Sequence, residues 1–199
     1  MKKILFACLF LTPTLLWAQQ PPDNSVAIDN DTIIIHLNTG KDKVLTSRIT
    51  NSNQTTAVYQ YQRFIPALNS HLILVQFFKA QGYLVINQQS GQELWLGGPP
   101  AVSPNGQRFV VTSMDLLDKR NPNSVEVWII LNNRFFKEFE VSPPWGPYSA
   151  TWQSDTKIAI PMICLNKSSE PMPCGQASLS LNESNEKWSL EAAPIMPKN

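Results

Sequence analysis

Two histidines, His36 and His71, are the only imidazoles in the chain, so acid–base chemistry near neutral pH has few starting points. His36 sits in "IIIHL", where one ring face is expected to pack, and His71 follows an Asn69-Ser70 turn. A Ser–His–Asp arrangement would need Ser70 or Ser103 beside one of them. No frame supports either serine: "SPNG" (103–106) lacks the Gly-x-Ser-x-Gly spacing of a nucleophile elbow. Without a nucleophile, base and orienter in view, neither histidine is expected to be catalytic.

Carboxylates come in pairs, Asp29 with Asp31 and Asp115 with Asp118. Asp-x-Asp can contribute to a calcium loop, but the further oxygen ligands and a bidentate acid are missing, so both pairs read as solvated loops and no metal is expected. The glycine stretches are equally plain. "LGGPP" (96–100) lacks the dinucleotide spacing, and "TGKD" (39–42) lacks the Walker frame and a hydroxyl after the lysine. Both are expected to be turns, and no cofactor is implied.

Three cysteines are encoded. Cys8 falls in an N-terminal leader: Lys2 and Lys3, an apolar run over 4–16, then Leu16 and Ala18 before a cut at Gln19. The run is short for a membrane span of roughly 20 residues, and Pro13 interrupts it. Export to an oxidising compartment follows, the periplasm first and secretion second. There Cys164 and Cys174 are expected to form a structural disulfide, worth roughly 2–3 kcal/mol for so small a loop. A zinc site would need more ligands nearby, and a redox pair would read Cys-x-x-Cys.

Losing residues 1–18 removes two lysines and no acid, so the net charge moves from +1 to −1. Such a chain carries no electrostatic footprint for nucleic acid. No later stretch is long and apolar enough to span a bilayer. The oligomeric state is not readable.

The elements that must position these residues are strands. "TIIIHL" (32–37), "AVYQYQRF" (57–64), "HLILVQFF" (71–78), "GYLVINQ" (82–88), "ELWLG" (93–97), "RFVVTSM" (108–114), "VEVWIIL" (125–131), "FFKEFEV" (135–141), "KIAIPMI" (157–163) and "ASLSLN" (177–182) are short, β-branched or aromatic, and bounded by turn residues. "FKEFEV" alternates as a strand with one wet face does. "LVIN" and "VWIIL" are continuous, as in strands covered on both faces.

The strands recur as hairpins of two kinds. Four outer hairpins turn at Thr39-Gly40, Ser90-Gly91, Asn132-Asn133 and near Ser184-Asn185. Three inner hairpins lie between them, turning at Asn69-Ser70, Asn105-Gly106 and Ser154-Asp155. Glycine and asparagine supply the positive φ that tight hairpins need.

"SGQ" (90–92) followed by "SPNGQRFVV" (103–111) resembles the blade unit of TolB-like and WD40-like β-propellers, clearly in this copy and in drifted form in the other two. The resemblance implies a fold and no activity. The expected class is therefore all-β: an antiparallel meander of hairpin-built sheets forming a partial or small propeller-like array, with a β-sandwich as the alternative. The expected organisation is a signal peptide (1–18), an N-terminal extension (19–31), one β-repeat domain (32–192) and a C-terminal tail (193–199).

Trp95, Trp128 and Trp188 fall in the outer hairpins and are expected in the repeat core. Trp145 stands apart in "PPWGPY" with Tyr148. Two readings stay open for it, a partner anchor on a stiff loop or a cap at the end of a sheet. The most charged insertion, 115–123, is a second candidate contact through Asp115, Asp118, Lys119 and Arg120. The function expected is a bacterial exported, non-enzymatic binding protein recognising a protein or an envelope polysaccharide, an inhibitor or immunity-type protein being one form. The alternatives are a periplasmic hydrolase using His71, Asp115 or Asp118, and a structural part of an envelope assembly.

Overall fold

Turn chemistry sets the fold. Asn132 and Asn133 take φ of 51° and 58°, which returns the chain in two residues; Asn69 (φ 46°) and Gly106 (φ 73°) close inner hairpins in the same way. The computed structural model describes residues 24–48 and 57–194. The leader over 1–18 lies outside the described residues.

Among the described residues sixteen strands form four antiparallel sheets in chain order. The first holds β1 (Val26–Asp29), β2 (Thr32–His36) and β3 (Asp42–Thr46). The second holds β4 (Val58–Ile65), β5 (Ser70–Gln76), β6 (Gln81–Asn87) and β7 (Glu93–Leu96), with one 3-10 turn at Pro66–Leu68. The third holds β8 (Ala101–Val102), β9 (Arg108–Ser113), β10 (Ser124–Leu131) and β11 (Arg134–Val141). The fourth holds β12 (Gly146–Pro147), β13 (Thr151–Ser154), β14 (Lys157–Leu165), β15 (Pro171–Asn182) and β16 (Lys187–Pro194). Each is a meander, except that β12 and β13 share one edge of β14.

All seven hairpins expected from the turns are present. One shifts: after β15 the left-handed residue is Glu186, one past the expected Ser184-Asn185. Val26–Asp29, placed ahead of the repeat in the sequence reading, pairs with β2 as an edge strand, and Asn30 (φ 48°) turns it. At the other end β16 runs on to Pro194.

The sheets stack face to face, as blades do. Ile33, Ile35 and Leu45 of the first meet Ile73, Val75, Leu84 and Ile86 of the second. Leu72, Val85 and Leu96 of the second meet Phe109, Val111 and Phe135 of the third. Val110, Val125 and Val127 of the third meet Ile158, Ile160, Ala177 and Leu179 of the fourth. Along β6, Leu84 and Ile86 point one way and Val85 the other, so the continuous run "LVIN" is a strand covered on both faces. The end sheets alternate instead, as β2 does with Ile33 and Ile35 buried between more exposed neighbours.

The result is four small blade-like sheets in series rather than the two layers of a sandwich. Among the described residues no apolar cluster joins the fourth sheet to the first.

Candidate partner-binding surface

The titratable groups fall into a buried relay and a surface loop. His71, on β5, is fully buried. Its Nε2 lies 2.6 Å from Gln88 Oε1, and its Nδ1 lies 3.2 Å from the Tyr61 hydroxyl. Gln88 Nε2 donates to the His36 carbonyl oxygen (2.7 Å) and to Asn38 Oδ1 (2.9 Å). That fixes the amide: its oxygen must accept from His71, so Nε2 carries the proton and Nδ1 accepts from Tyr61. The relay ties the second sheet to the backbone of the first. Burial holds the Tyr61 phenol up at about 12, so it remains the donor.

This is a structural use of histidine. Its ring nitrogens are taken up by Gln88 and Tyr61, and among the described residues no carboxylate bonds the ring. The two serines considered as nucleophiles are also committed. Ser70 Oγ donates to the Leu68 carbonyl (2.7 Å). Ser103 Oγ donates to Asn105 Oδ1 (2.8 Å) and accepts from the Arg108 N–H (3.0 Å), which locks the "SPNG" turn. His36 is exposed and holds Asp42 at 2.7 Å. Among the described residues no three His, Cys, Asp or Glu gather as a metal site.

The relay makes stability depend on pH. Burial pushes His71 below its ordinary 6.5, against an opposing pull from the Gln88 hydrogen bond. The unfolded chain then takes up its proton first. The contribution of this group is therefore whole above 6.5 and declines as the pH falls below it. The urea midpoint is expected to fall between pH 7 and pH 5, and His71→Gln is expected to flatten that slope. A slope unchanged by the substitution would assign the effect elsewhere.

The 115–123 loop follows β9. Asp115 Oδ1 accepts the backbone N–H groups of Asp118 and Lys119 (both 2.9 Å), and Oδ2 accepts those of Arg120 (2.7 Å) and Asn121 (2.9 Å). These bonds, that from Asn121 foremost, hold the carboxyl down at about 2. The ionised form that braces the loop therefore persists until the pH falls through that value. Asp115 is thus a scaffold for the loop, and its oxygens are not free for a partner. Asp118, Lys119 and Arg120 are exposed, with Lys119 in a left-handed conformation (φ 52°).

The two segments singled out in the sequence come together. Asn123 Nδ2 donates to the carbonyl oxygens of Pro143 (2.8 Å) and Trp145 (3.0 Å), pinning the loop to the start of the fourth sheet. The Trp145 ring is not a surface anchor: it is 6% exposed and packs in the cluster between the third and fourth sheets. β12 pairs with β14 and carries the chain back over the core, which turns the indole inward. Tyr148 is 66% exposed. Trp95 moves the opposite way, from expected core to 50% exposed beside Phe77, while Trp188 is buried and bonds Glu138 at 3.1 Å.

Across from the loop stands the β14–β15 hairpin, cross-linked by Cys164–Cys174 with Cα atoms 5.7 Å apart. At its tip Asn166 Oδ1 accepts the N–H groups of Ser168 (2.8 Å) and Glu170 (2.9 Å). Met114, Leu116, Leu117, Leu165 and Pro171, with Asp115 and Asp118, line a groove of about 220 Å3 between loop and hairpin. Leu117 is 57% exposed there. The groove is not legible in the sequence, because Leu117 and Leu165 sit in segments that read as polar. Replacing both cysteines with serine is expected to cost roughly 2–3 kcal/mol and to speed proteolytic nicking at 165–171. Urea melts and limited proteolysis, with and without reductant, read both; an unchanged melt would show the cross-link to be dispensable.

The class these sheets define is an all-β array of blade-like antiparallel meanders. No protein-family model matches the chain, and no curated protein matches its sequence. A crystal structure of a protein from Lactobacillus plantarum is similar with a TM-score of 0.34 at 11% identity, over 83% of this chain and 63% of that one. The match thus spans less than two thirds of that protein's length.

Proposed function

We propose that this is an exported, non-enzymatic binding protein of propeller-like build that recognises a protein or cell-envelope partner through the loop-bearing edge of its third and fourth sheets. The observation that carries the reading is the Asp115-braced loop. Four backbone N–H groups converge on one carboxylate, and the rigid turn so formed keeps Leu117 in water. An apolar side chain held out on a stiff loop has its ordering cost met in advance, which favours recognition. The disulfide supports an oxidising compartment. The leader pattern supports export to the periplasm, with a mature chain beginning at Gln19. Inhibition of an envelope-attacking enzyme, or immunity to one, is a form such binding takes.

The test is affinity capture from envelope extract with the tagged mature chain, beside the Leu117→Asp variant. Capture by the first and loss by the second is the expected result. No captured partner at all, or a tagged full-length chain that keeps residues 1–18 and stays in the cytoplasm, would overturn it.

A further inference from the structure

We propose that the outer face of the fourth sheet is a two-fold interface that takes a second copy of this chain. The inference goes beyond the binding reading above and does not rest on it. It starts from β14. The run "IAIPMI" (158–163) is as continuous as "LVIN", the pattern of a strand covered on both faces. Ile158, Ile160 and Met162 meet the third sheet. The outward set, Ala159, Pro161 and Ile163, has no sheet over it among the described residues. Exposed Tyr148 stands beside this strip: its N–H donates to the Pro161 carbonyl oxygen at 3.3 Å. A tyrosine next to apolar residues on a rigid sheet is the composition of an interface.

Charge names the occupant. Lys157 on β14 and Glu191 on β16 flank β15 on this face and line a groove of about 400 Å3, with Gln176 and Ser178 between them. Neither makes an ion pair among the described residues. One cation and one anion favour neither an acidic nor a basic partner, but they complement their own copy. The strand order is β14-β15-β16, so a two-fold axis along β15 lays β14 of each copy over β16 of the other. The registers then set Pro161 over Ala193 of the second copy, and Lys157 over its Ser189, one outward position from Glu191. Lys187 lies one position the other way, beside the turn acids Glu183 and Glu186. The crossing of about 30° between packed sheets lets Lys157 lean to the carboxylate. Symmetry forms this ion pair twice. On the axis lie Gln176, Ser178 and Ser180, each with a donor and an acceptor, so each can bond its own copy. Ser178 Oγ is closed off from water and bonds nothing among the described residues, a cost that a second hydroxyl offsets.

Sedimentation velocity of the mature chain over a concentration series tests this. A monomer–dimer equilibrium is expected. Lys157→Glu and Glu191→Lys are each expected to weaken it about tenfold, since symmetry sets the like charges together twice. An equimolar mixture of the two variants is expected to recover the dimer, because each then meets its opposite charge in the other. General damage to the sheet cannot produce that recovery. Both residues are exposed, so unchanged thermal midpoints in dilute solution show that the variants fold. A chain that stays monomeric to about 100 µM, a dimer indifferent to both substitutions, or variants that stay apart when mixed would overturn the proposal. Envelope capture is expected to be the same in all of these variants, so its failure bears on the binding reading alone.

Discussion

Replacing Trp145 with alanine is expected to destabilise the protein by about 3–5 kcal/mol and to lower its thermal midpoint by roughly 10 °C. The indole is 6% exposed and shares its cluster with Val110, Val125, Ile160, Met162 and Trp188, drawn from both the third and fourth sheets. Truncation leaves a void that two hydrogen-bonded sheets cannot close without giving up backbone pairing. The cost thus combines lost burial with a persistent cavity. Tyr148, three residues on and 66% exposed, is the internal control: Tyr148→Ala is expected to change stability by no more than about 0.5 kcal/mol. Thermal melts and urea titrations of both variants decide it. A Trp145→Ala protein that melts like the parent but no longer captures its partner would return the ring to the surface role considered from the sequence.

That reversal shows where local sequence stops being informative. "PPWGPY" reads as a stiff exposed loop because three prolines and a glycine surround the aromatics. What turns Trp145 inward is the pairing of Gly146 and Pro147 with Ile163 and Met162, a contact some sixteen residues away that no local pattern announces. Trp95 fails in mirror image. It shares a sheet face with buried Leu84, its cross-strand partner, and so looks like core. But β7 is an edge strand, and the extent of cover over an edge depends on the neighbouring sheet.

The hairpins were legible for the opposite reason. Their turns are fixed by residues whose backbone preference acts within two or three positions, as at Asn132-Asn133 and Gly91. β1 is not legible because it is only four residues long and ends within "AIDNDT", whose two aspartates read as a solvated loop, although Asn30 is a hairpin residue like the others. Of the site, the charged residues 118–120 were legible as exposed. The bracing role of Asp115 was not, because an acceptor for four successive N–H groups looks in sequence like any loop aspartate.

Gly98→Ala is expected to rank with Trp145→Ala among the most damaging single changes, at about 3 kcal/mol, for a reason that has nothing to do with turns. A Cβ built on Gly98 falls directly onto the Thr112 carbonyl oxygen. Thr112 lies within β9 and is paired with Val125 of β10, so its carbonyl is held by the sheet and cannot swing aside like the end of a flexible side chain. Gly40 provides the contrast. Its φ of 77° disfavours a side chain, yet nothing lies within 4 Å of the Cβ it would gain. Gly40→Ala is therefore expected to cost only about 1–2 kcal/mol, the penalty of a left-handed L-residue. Urea titrations of the two variants separate the mechanisms: similar losses would mean that β9 yields where its pairing says it should not. The same geometry disposes of "LGGPP" as a ligand loop. The space that a nucleotide's phosphates would need beside Gly98 is already filled by the backbone of the third sheet, so these glycines serve the close passage of the β7–β8 connection over β9.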